Sequence, residues 1–541
     1  MNTDRAWWRG AVIYQIYPRS FMDASGDGVG DLRGITSKLP YVAQLGVDAI
    51  WISPFFTSPM RDFGYDVSDY RNVDAMFGTL DDFRELVDRA HAHGLKVLID
   101  QVLSHTSDQH PWFVESRRDA DSEKNDWYVW ADGVDEEGPP NNWLSFFGGS
   151  AWTWDGERQQ YYLHNFLESQ PDLNFHNPEV RAAQLQNVRF WLELGVDGFR
   201  FDVVNFFFHN SNLTDNPPTA KGSNPGANDA NPYFGFQHIH DIDQPENLEF
   251  LRDLRQLLDE YPEQTSVGEI SSDHSLSVMA QYTGGTDKLH MAYTFDLLSE
   301  NSTPDHIRSV IARLEAEISD GWPCWALSNH DVERSATRWG ADSDPQRYPQ
   351  VALALLLSLR GSVCLYQGEE LGLPQSVVPR DRLQDPYGIE FWPEYKGRDG
   401  CRTPMVWNRN ENGGFSAGEP WLPVDEAHLD LAVDGQKRAS ESTLNRVKRL
   451  IQWRKNHPAL IFGGLELVTT GNDMLCWVRR VEGSAILVAL NVTGNTLRFD
   501  LPTAVDAPLV GHGFVGRIED GEIVLPPYEA LFASLAKDSI S

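Results

Sequence analysis

The sequence predicts an α/β protein built on a (β/α)8 TIM barrel, with a small domain inserted after the third barrel strand and an antiparallel β-sandwich at the C-terminal end. Strand-like apolar runs alternate with amphipathic helical segments along most of the 541 residues, which is typical of parallel strands. A long aromatic segment interrupts this alternation of strands and helices once, and the alternation itself ends near residue 461. The chain is longer than a usual single domain, so two or three domains are expected.

Eight short apolar runs are the candidate barrel strands, and eight strands that each have a following helix fit a closed barrel better than an open sheet. They are Ala11–Tyr17, Ala49–Ile52, Lys96–Asp100, Gly198–Phe201, Ser266–Gly268, Met291–Phe295, Cys324–Leu327 and Val363–Tyr366. Apolar residues at helical spacing predict helices between and after them. These helices are Leu80–His93, Pro178–Leu194, Glu246–Glu260, Pro304–Ile318 and Ser440–Lys455, the last stopped by Asn456-His457-Pro458.

Two regions leave this pattern and predict separate domains. Residues 105–172 are too long for a loop between a strand and a helix and contain six tryptophans, so they are predicted as the inserted domain, with 1–104 and 173–460 forming the barrel. Residues 461–541 alternate turns with short apolar runs, which predicts the sandwich. Its candidate strands are Leu465–Thr469, Met474–Arg480, Ala485–Asn491, Thr496–Leu501 and Glu522–Leu525. Residues 209–243, rich in Asn, Pro and Gly, predict a long loop at the active-site face.

Charge and cysteine content limit the class of protein. A formal net charge of −34 argues against nucleic acid and anionic membranes as partners, whereas a neutral substrate is compatible with it. The absence of an apolar leader and of any bilayer-length run predicts a soluble, cytoplasmic protein. We expect it to be either a monomer or a homodimer. The cysteines are not closely spaced and predict reduced thiols instead of disulfides or a zinc site; they are Cys324, Cys364, Cys401 and Cys476.

Polar side chains directly follow several predicted strands, and they share the C-terminal face where barrel enzymes catalyse their reactions. These are His105, Asp202, Glu269, His330 and Asp331. Within Gly198–Asp202, Arg200 and Asp202 lie on the same face of the strand because side chains alternate. An arginine beside a carboxylate lowers its pKa, which predicts that Asp202 is kept charged as a nucleophile.

The motifs that contain these residues resemble those of the α-amylase superfamily of glycoside hydrolases. The resemblance covers essentially the whole chain, and Gln170–Asn174 is similar to the signature of the oligo-1,6-glucosidase subgroup, which contains bacterial α-glucosidases. The other matching motifs are Asp100–His105, Gly198–Asp202, Gly268-Glu269 and Asn329–Asp331. The resemblance implies a glycosidase without an organic cofactor, in which Asp202 is the nucleophile, Glu269 the general acid/base and Asp331 a third carboxylate that grips sugar hydroxyls.

The chemistry of retaining hydrolysis is consistent with this assignment. It needs a charged nucleophile and a protonated carboxyl about 5–5.5 Å apart. Glu269 has no cation beside it in the sequence, so we expect the other two carboxylates to keep it protonated. His105 and His330 could be metal ligands, but the resemblance implies that they donate hydrogen bonds to glucose.

The resemblance also implies a closed sugar pocket. Tyr65 would stack on the terminal glucose, and Asp62 would pair with Arg398, which lies in the subgroup motif Gly397–Pro404. A pocket closed in this way gives exo action on the non-reducing end. Phe147 and Phe166 are either aromatic walls or core residues. The expected substrate-binding residues are Asp62, Tyr65, His105, Phe147, Phe166, Arg200, His330 and Arg398.

Residues 23–31 predict a metal site. Oxygen-bearing side chains at alternating positions and three glycines resemble the start of an EF-hand loop, and the subgroup has Ca²⁺ or Mg²⁺ here. The expected ligands of this structural ion are Asp23, Ser25, Asp27, the Val29 carbonyl and Asp31.

The resemblance points to two different linkages. Valine at position 203, after the nucleophile, accompanies α-1,6 cleavage in the subgroup, whereas 139–143, 205–209 and 268–272 look like α-1,4 enzymes with strong transglucosylation. We expect maltose-like substrates, with glucose passed to water or to sugar or alcohol acceptors. The alternatives are an oligo-1,6-glucosidase (isomaltase), a glucosyl-transferring enzyme such as trehalose synthase or sucrose isomerase, and a non-catalytic binding homologue.

Overall fold

The computed structural model describes residues 6–118, 121–134, 138–219, 231–340, 344–471, 473–501 and 505–536. The parts of the predicted loop 209–243 and of the two smaller domains that fall in the gaps lie outside the described residues. Eight parallel strands form one sheet in the order β6-β5-β4-β3-β2-β1-β8-β7. They are β1 (Val12–Ile16), β2 (Ala49–Ile52), β3 (Lys96–Gln101), β4 (Gly198–Phe201), β5 (Thr265–Ile270), β6 (Met291–Thr294), β7 (Cys324–Trp325) and β8 (Ser362–Tyr366).

A parallel bridge between Ala292 of β6 and Pro323, just before β7, joins the two edges of this sheet. The predicted (β/α)8 barrel is therefore confirmed. The strands are buried on both faces, which is why they are near-continuous apolar runs in the sequence. Strand β7 is shorter than predicted, because only Cys324 and Trp325 pair with β8.

A helix follows each barrel strand on the outside. The eight helices are Leu32–Leu45, Leu80–Ala92, Pro178–Glu193, Asn247–Asp259, Ser275–Thr283, Pro304–Glu317, Tyr348–Ser358 and Thr443–Lys455. Local sequence explains where several begin: Thr79 and Asp82 form a capping box, and the side chains of Thr303 and Ser442 accept N–H groups of the first turn.

Three of these helices were not among those predicted from the sequence. Tyr348–Ser358 is buried at every position, so it has no polar face and no amphipathic period. Leu32–Leu45 contains Pro40, and Ser275–Thr283 is short. Pro458, predicted as part of a stop, instead begins the short helix Pro458–Phe462, where its missing N–H costs nothing.

Shorter elements complete the barrel and its loops. The strands Phe56–Thr57 and Asp69–Val73 form an antiparallel pair after β2. The remaining α-helices are Pro18–Phe21, Ser335–Arg338, Pro386–Glu390, Glu426–Leu429 and Val433–Arg438. The 3-10 helices are Val204–Phe206, Pro232–Gly235, Glu369–Leu371, Arg380–Arg382, Asp399–Cys401 and Glu411–Gly414. None of the helices in the described ranges is both long enough and apolar enough to cross a membrane.

The segment predicted as the inserted domain contains the helix Pro111–Arg118 and a three-stranded antiparallel sheet. Its strands are Trp130–Ala131, Trp152–Asp155 and Gln160–Leu163, and a buried cluster that includes Trp143 and Trp152 packs against them. An antiparallel bridge between His105 and Asp172 joins the two ends of the segment. The long aromatic segment is thus an excursion that leaves and rejoins the barrel at one place.

The C-terminal region contains two antiparallel sheets that share a buried cluster, as predicted for a sandwich. One sheet has the strands Gly464–Leu467, Leu475–Val481, Ser484–Asn491, Glu529–Leu535 and Val505–Pro508, and the other has Leu497–Asp500, Glu522–Leu525 and Arg517–Glu519. Three of these strands were missed in the sequence. Arg517–Glu519 and Val505–Pro508 are short and at least partly exposed throughout, and Glu529–Leu535 is buried on both faces and so lacks alternation.

Candidate active site

A cavity of about 700 Å³ lies among the loops that follow the barrel strands, at their C-terminal ends. All three predicted catalytic carboxylates line it, although they are far apart in the sequence. Of the predicted substrate-binding residues, six also line it: Asp62, Tyr65, His105, Phe147, Phe166 and Arg398. The barrel thus gathers most of the predicted site in one place, on the face where such residues were expected.

Arg200, on β4, connects the carboxylates beneath this cavity. Its Nη1 lies 2.8 Å from Asp100 Oδ1 and 2.6 Å from Asp202 Oδ1. Its Nη2 lies 2.6 Å from Glu269 Oε2 and 2.9 Å from the Tyr293 hydroxyl. Strand register explains this meeting, since Asp100 is opposite Arg200 in the β3–β4 ladder and Glu269 is opposite Tyr293 in the β5–β6 ladder.

The structure changes the expected electrostatics of Asp202. Burial raises the pKa of the Asp202 carboxyl well above its usual range; Arg200 opposes this, and the nearby Glu269 and Asp100 add to it. Burial likewise raises the pKa of Asp100 to about 6. Arg200 does lower the pKa of Asp202, as expected, but burial outweighs it, so the expectation that this pair alone keeps Asp202 charged was wrong. Glu269, which has no cation beside it in the sequence, shares the same guanidinium, which thus contacts three buried carboxylates.

Asp331 contacts two arginines and one histidine. Arg402 Nη2 lies 2.8 Å and Arg398 Nη1 3.2 Å from its Oδ1, and His330 Nε2 lies 3.1 Å from its Oδ2. Although burial raises the pKa of Asp331, His330 and the two arginines lower it well below its usual range. Asp331 is therefore ionised near neutral pH, and it presents a negative charge to the cavity.

The predicted ion pair of Asp62 and Arg398 is present and lines one end of the cavity. Arg398 Nη2 lies 2.8 Å from Asp62 Oδ1 and 2.7 Å from Asp385 Oδ1. The amide of Gln170 donates to the other oxygen of Asp62 at 3.2 Å. The ring of Phe147 lies beneath Arg398, with 5.0 Å from the ring centroid to Cζ. This ion-pair network makes the end of the cavity rigid and polar.

Tyr65 and His105 contribute to the same end of the cavity. The Tyr65 hydroxyl hydrogen-bonds to His330 Nε2 and donates to Asp100 Oδ2 at 3.2 Å, and its ring is parallel to that of His330. His105 Nε2 lies 3.1 Å from the Tyr65 carbonyl oxygen, and its Nδ1 lies 2.9 Å from the Ser104 hydroxyl. Burial lowers the pKa of His105 to about 4, so the ring is neutral near pH 7.

Two predicted substrate-binding residues, Arg200 and His330, do not face the cavity. The side chain of Arg200 is 1% exposed, and His330 is fully buried with its Nδ1 2.8 Å from Gln15 Nε2. Burial lowers the pKa of His330 to about 3, so it is neutral despite its contact with Asp331. In this structure both residues hold other groups in place, because their nitrogens already have protein partners.

The apolar wall of the cavity contains Phe147, Phe166 and Val203. Phe166, whose ring centroid is 5.1 Å from that of His105, packs against a cluster formed by Val203, Phe206 and Ile242. Val203 has φ 34° and ψ 54°, in the left-handed region, which is unusual for a β-branched residue. This conformation directs its N–H to Glu269 Oε2, 3.2 Å away, so the strain lies beside the predicted general acid/base.

The predicted metal loop is closed by its own hydrogen bonds. Asp23 accepts four, from the Ser25 and Ser416 hydroxyls and the Gly26 and Gly28 N–H groups. Asp31 accepts three backbone N–H groups, including that of Gly34. The described residues contain no group of three or more His, Cys, Asp or Glu side chains that could hold a metal ion. The oxygen types suit a hard cation, but the present arrangement leaves Asp23 without a free lone pair.

Sequence reasoning missed several residues that shape this site. Asp100 and Gln170 lie within motifs that were recognised, so their positions carried a signal that was not assigned to a role. Arg402 likewise lies in the motif of Arg398. Tyr293 and Asp385 had no such signal, since their roles depend on strand register and on a loop that returns to Arg398.

The sequence was compared with protein-family models and with known proteins, and the matches agree with the family that the motifs resemble. Residues 15–463 match the family model of the alpha amylase catalytic domain. A probable alpha-glucosidase of Rhizobium meliloti (strain 1021) is 52% identical over 542 residues, covering 99% of this chain and 98% of that protein. An oligo-1,6-glucosidase of Parageobacillus thermoglucosidasius is 35% identical over 97% of this chain and 98% of its own.

Solved structures give the same result. The crystal structure of an alpha-glucosyl transfer enzyme, XgtA, has a TM-score of 0.97 and 52% identity, covering 98% of this chain and 100% of that one. Both the sequence match and the structural match therefore extend over nearly the whole length. The chain belongs to the α-amylase family of glycoside hydrolases.

Proposed function

We propose that the protein is a retaining, exo-acting α-glucosidase that releases glucose from the non-reducing end of short α-glucosides. One observation carries the proposal: Asp202 and Glu269 share the guanidinium of Arg200 in a cavity that the ion pair of Asp62 and Arg398 also lines. We propose that this pair closes one end of the cavity. Two carboxylates held by one guanidinium are close together, as the separation of about 5–5.5 Å in retaining enzymes requires. A closed end leaves room for a terminal sugar only.

In the proposed first step, Asp202 attacks the anomeric carbon while Glu269 gives its proton to the glycosidic oxygen. A bond forms between the Asp202 carboxylate and the glucosyl carbon as the glycosidic bond breaks, and the protonated aglycone leaves. In the second step Glu269, now a carboxylate, takes a proton from water or an acceptor alcohol, which attacks the glucosyl ester and restores free Asp202.

The charges around Arg200 favour one retained proton among the three carboxyls that it contacts. Asp100, Asp202 and Glu269 face a single cation, so keeping one proton in the group costs less than ionising all three. Asp331, with two arginines, supplies the fixed negative charge that favours an oxocarbenium-like transition state. We therefore take the group to hold one proton, and the proposed cycle begins when that proton is on Glu269 and Asp202 is charged.

We propose maltose-like α-1,4 glucosides as the preferred substrates, with oligo-1,6-glucosidase activity as the alternative. Val203 lies in the cavity wall beside Glu269, where the group leaving the sugar would lie. Glucosyl transfer to sugar or alcohol acceptors is a second candidate activity, favoured by the extensive similarity to an alpha-glucosyl transfer enzyme. The same covalent intermediate serves both outcomes, and they differ only in what attacks it.

Turnover of maltose, isomaltose, sucrose, trehalose and maltotriose, with the products separated, tests this proposal. We expect free glucose from maltose above all, together with longer glucosides at high substrate concentration. Disaccharide isomers as products, with no release of free glucose, would instead favour a glucosyl-transferring enzyme. Asp202→Asn should abolish turnover with an unchanged circular dichroism spectrum, and wild-type-like activity of that variant would rule out its role as nucleophile.

The remaining features are also proposals. We propose a cytoplasmic enzyme, monomeric or homodimeric, that needs no organic cofactor, with Ca²⁺ or Mg²⁺ bound at the loop 23–31. The residue types of that loop support the ion, although its carboxylates are engaged in hydrogen bonds. The ion would be structural and takes no part in the steps above.

A further inference from the structure

The hydroxyl of Tyr293 lies beside the acid/base residue but takes no part in the steps above. Tyr293 is on β6, is 1% exposed and is directly opposite Glu269 in the ladder with β5. Its hydroxyl donates to Glu269 Oε1 at 2.8 Å. Its oxygen accepts from Arg200 Nη2 at 2.9 Å and from Nε at 3.3 Å. The Tyr293 hydroxyl thus contacts both Glu269 and Arg200, whose guanidinium is shared by the carboxylates of the site.

The two oxygens of Glu269 have different neighbours. Oε2 forms an ion pair with Arg200 Nη2 at 2.6 Å and accepts the Val203 N–H at 3.2 Å, and neither of these groups can accept a proton. A proton on Oε2 would therefore face the N–H groups of Arg200 and Val203 and find no acceptor there. Among the described residues, the Tyr293 hydroxyl is the one hydrogen-bond partner of Oε1, so we infer that the proton of the acid form resides on Oε1.

The direction of that proton follows from the lone pairs of Tyr293. A phenol oxygen accepts through two lone pairs at most, and Arg200 already donates to it from two nitrogens. The Glu269 proton therefore does not turn back towards Tyr293 and instead points into the cavity, where the glycosidic oxygen would lie. Tyr293 continues to donate to Oε1 in both protonation states.

We propose that Tyr293 is a positioning residue for the general acid: it determines which oxygen of Glu269 carries the proton and the direction in which that proton points. The inference rests on the proposed function. The other groups that face Glu269 are Arg200 on β4, the Val203 N–H and the carboxyls of Asp202 and Asp100. Burial raises the pKa of Tyr293 well above its ordinary value, so the hydroxyl does not titrate with them.

Tyr293→Phe tests this role through two readouts. Removing the donor disfavours the carboxylate form of Glu269, so the basic limb of the kcat/KM profile moves to higher pH by about one unit, as expected for a hydrogen bond to a charged group. The kcat/KM for maltose, whose leaving group needs a proton, falls at least tenfold. The kcat/KM for α-glucosyl fluoride, whose leaving group needs little protonation, falls less than threefold.

Tyr366→Phe is the matched control, because it removes another buried barrel hydroxyl, one that donates to the Cys401 carbonyl oxygen at 3.0 Å. It should leave the ratio of the two substrates and the basic limb unchanged. Equal losses on maltose and glucosyl fluoride in Tyr293→Phe, with no movement of the basic limb, would show that Tyr293 is only structural and would overturn the inference.

Two further measurements keep the test decisive. If Tyr293→Phe does not fold, 3,5-difluorotyrosine at position 293 strengthens the donor and should move the basic limb to lower pH; no movement contradicts the inference. If the wild type turns over neither substrate, the proposed function fails. The inference is then decided by ¹³C NMR of the Glu269 carboxyl, whose protonation midpoint should rise in Tyr293→Phe and stay constant in Tyr366→Phe.

Discussion

Replacing Asp62 by asparagine tests how the closed end of the cavity works. Asp62 Oδ1 accepts from Arg398 at 2.8 Å, and Oδ2 accepts from Gln170 at 3.2 Å. Asparagine keeps the shape and one acceptor oxygen but removes the negative charge. The variant therefore separates the effect of charge on sugar binding from the effect of an altered fold.

The expected loss of stability is small because Arg398 keeps two other carboxylates. Asp385 Oδ1 lies 2.7 Å and Asp331 Oδ1 3.2 Å from its nitrogens, so the buried cation is not left alone. Asp62→Asn should thus cost about 1 kcal/mol, the value for one weakened hydrogen bond. Arg398→Ala should cost about 3–5 kcal/mol, because it leaves Asp62 and Asp385 buried without their cation.

The expected loss of activity is larger. A hydrogen bond to a charged group is worth about 1.5–3 kcal/mol, so losing one between Asp62 and a glucose hydroxyl lowers kcat/KM by about 10- to 150-fold. The loss should be equal for maltose and for 4-nitrophenyl α-glucoside, because both place the same glucose at the closed end.

Steady-state kinetics on the two substrates, with urea unfolding in parallel, measures both effects. Asp108→Asn is the matched control, since it removes the acid of the partly exposed Arg61–Asp108 pair on the same side of the barrel. It should change neither quantity. A loss in Asp62→Asn that depends strongly on the aglycone, or no loss at all, would refute the assignment of Asp62 to the glucose end.

Three further changes test other parts of the site. Arg200→Lys keeps the charge but cannot contact Asp100, Asp202, Glu269 and Tyr293 together. Because Arg200 lowers the pKa of Asp202, its replacement should raise that pKa and move the acidic limb of the kcat/KM profile to higher pH by about one unit. An acidic limb that does not move would contradict this role of Arg200. Val203→Thr keeps the shape, so it should raise the ratio of maltose to isomaltose turnover severalfold without unfolding the protein; a constant ratio would remove Val203 from linkage selection. Asp27→Asn should weaken Ca²⁺ or Mg²⁺ binding in calorimetry while leaving the melting temperature in chelator unchanged. Asp27 is exposed, and within the described ranges its side chain accepts the Val29 N–H at 2.9 Å and no other hydrogen bond. No binding by the wild type would exclude the ion.

The sequence was sufficient for the barrel and for the residues at the ends of its strands. Strand β4, Gly198–Phe201, is short, apolar and followed by Asp202, so both its location and the role of its end were readable locally. The same holds for Glu269 at the end of β5 and Asp331 after β7. Period and position along the chain determine these features, and they do not depend on distant contacts.

The electrostatics of the site could not be read in the same way. That Arg200 serves Asp100 and Glu269 as well as Asp202 follows from the register of three neighbouring strands, which only the closed sheet defines. Asp385 reaches Arg398 through a loop whose path is set by tertiary packing. Elements buried on all sides, such as Tyr348–Ser358 and Glu529–Leu535, were missed because uniform burial removes the periodic signal.

The central claim is that Asp202 forms a covalent bond to glucose. Incubation with 5-fluoro-α-glucosyl fluoride slows the second step, so the glucosyl-enzyme accumulates and can be digested and sequenced by mass spectrometry. We predict a single added 5-fluoroglucosyl group on the peptide that contains Asp202. A label on Glu269 or Asp331, or release of β-glucose as the first product seen by ¹H NMR, would contradict the account.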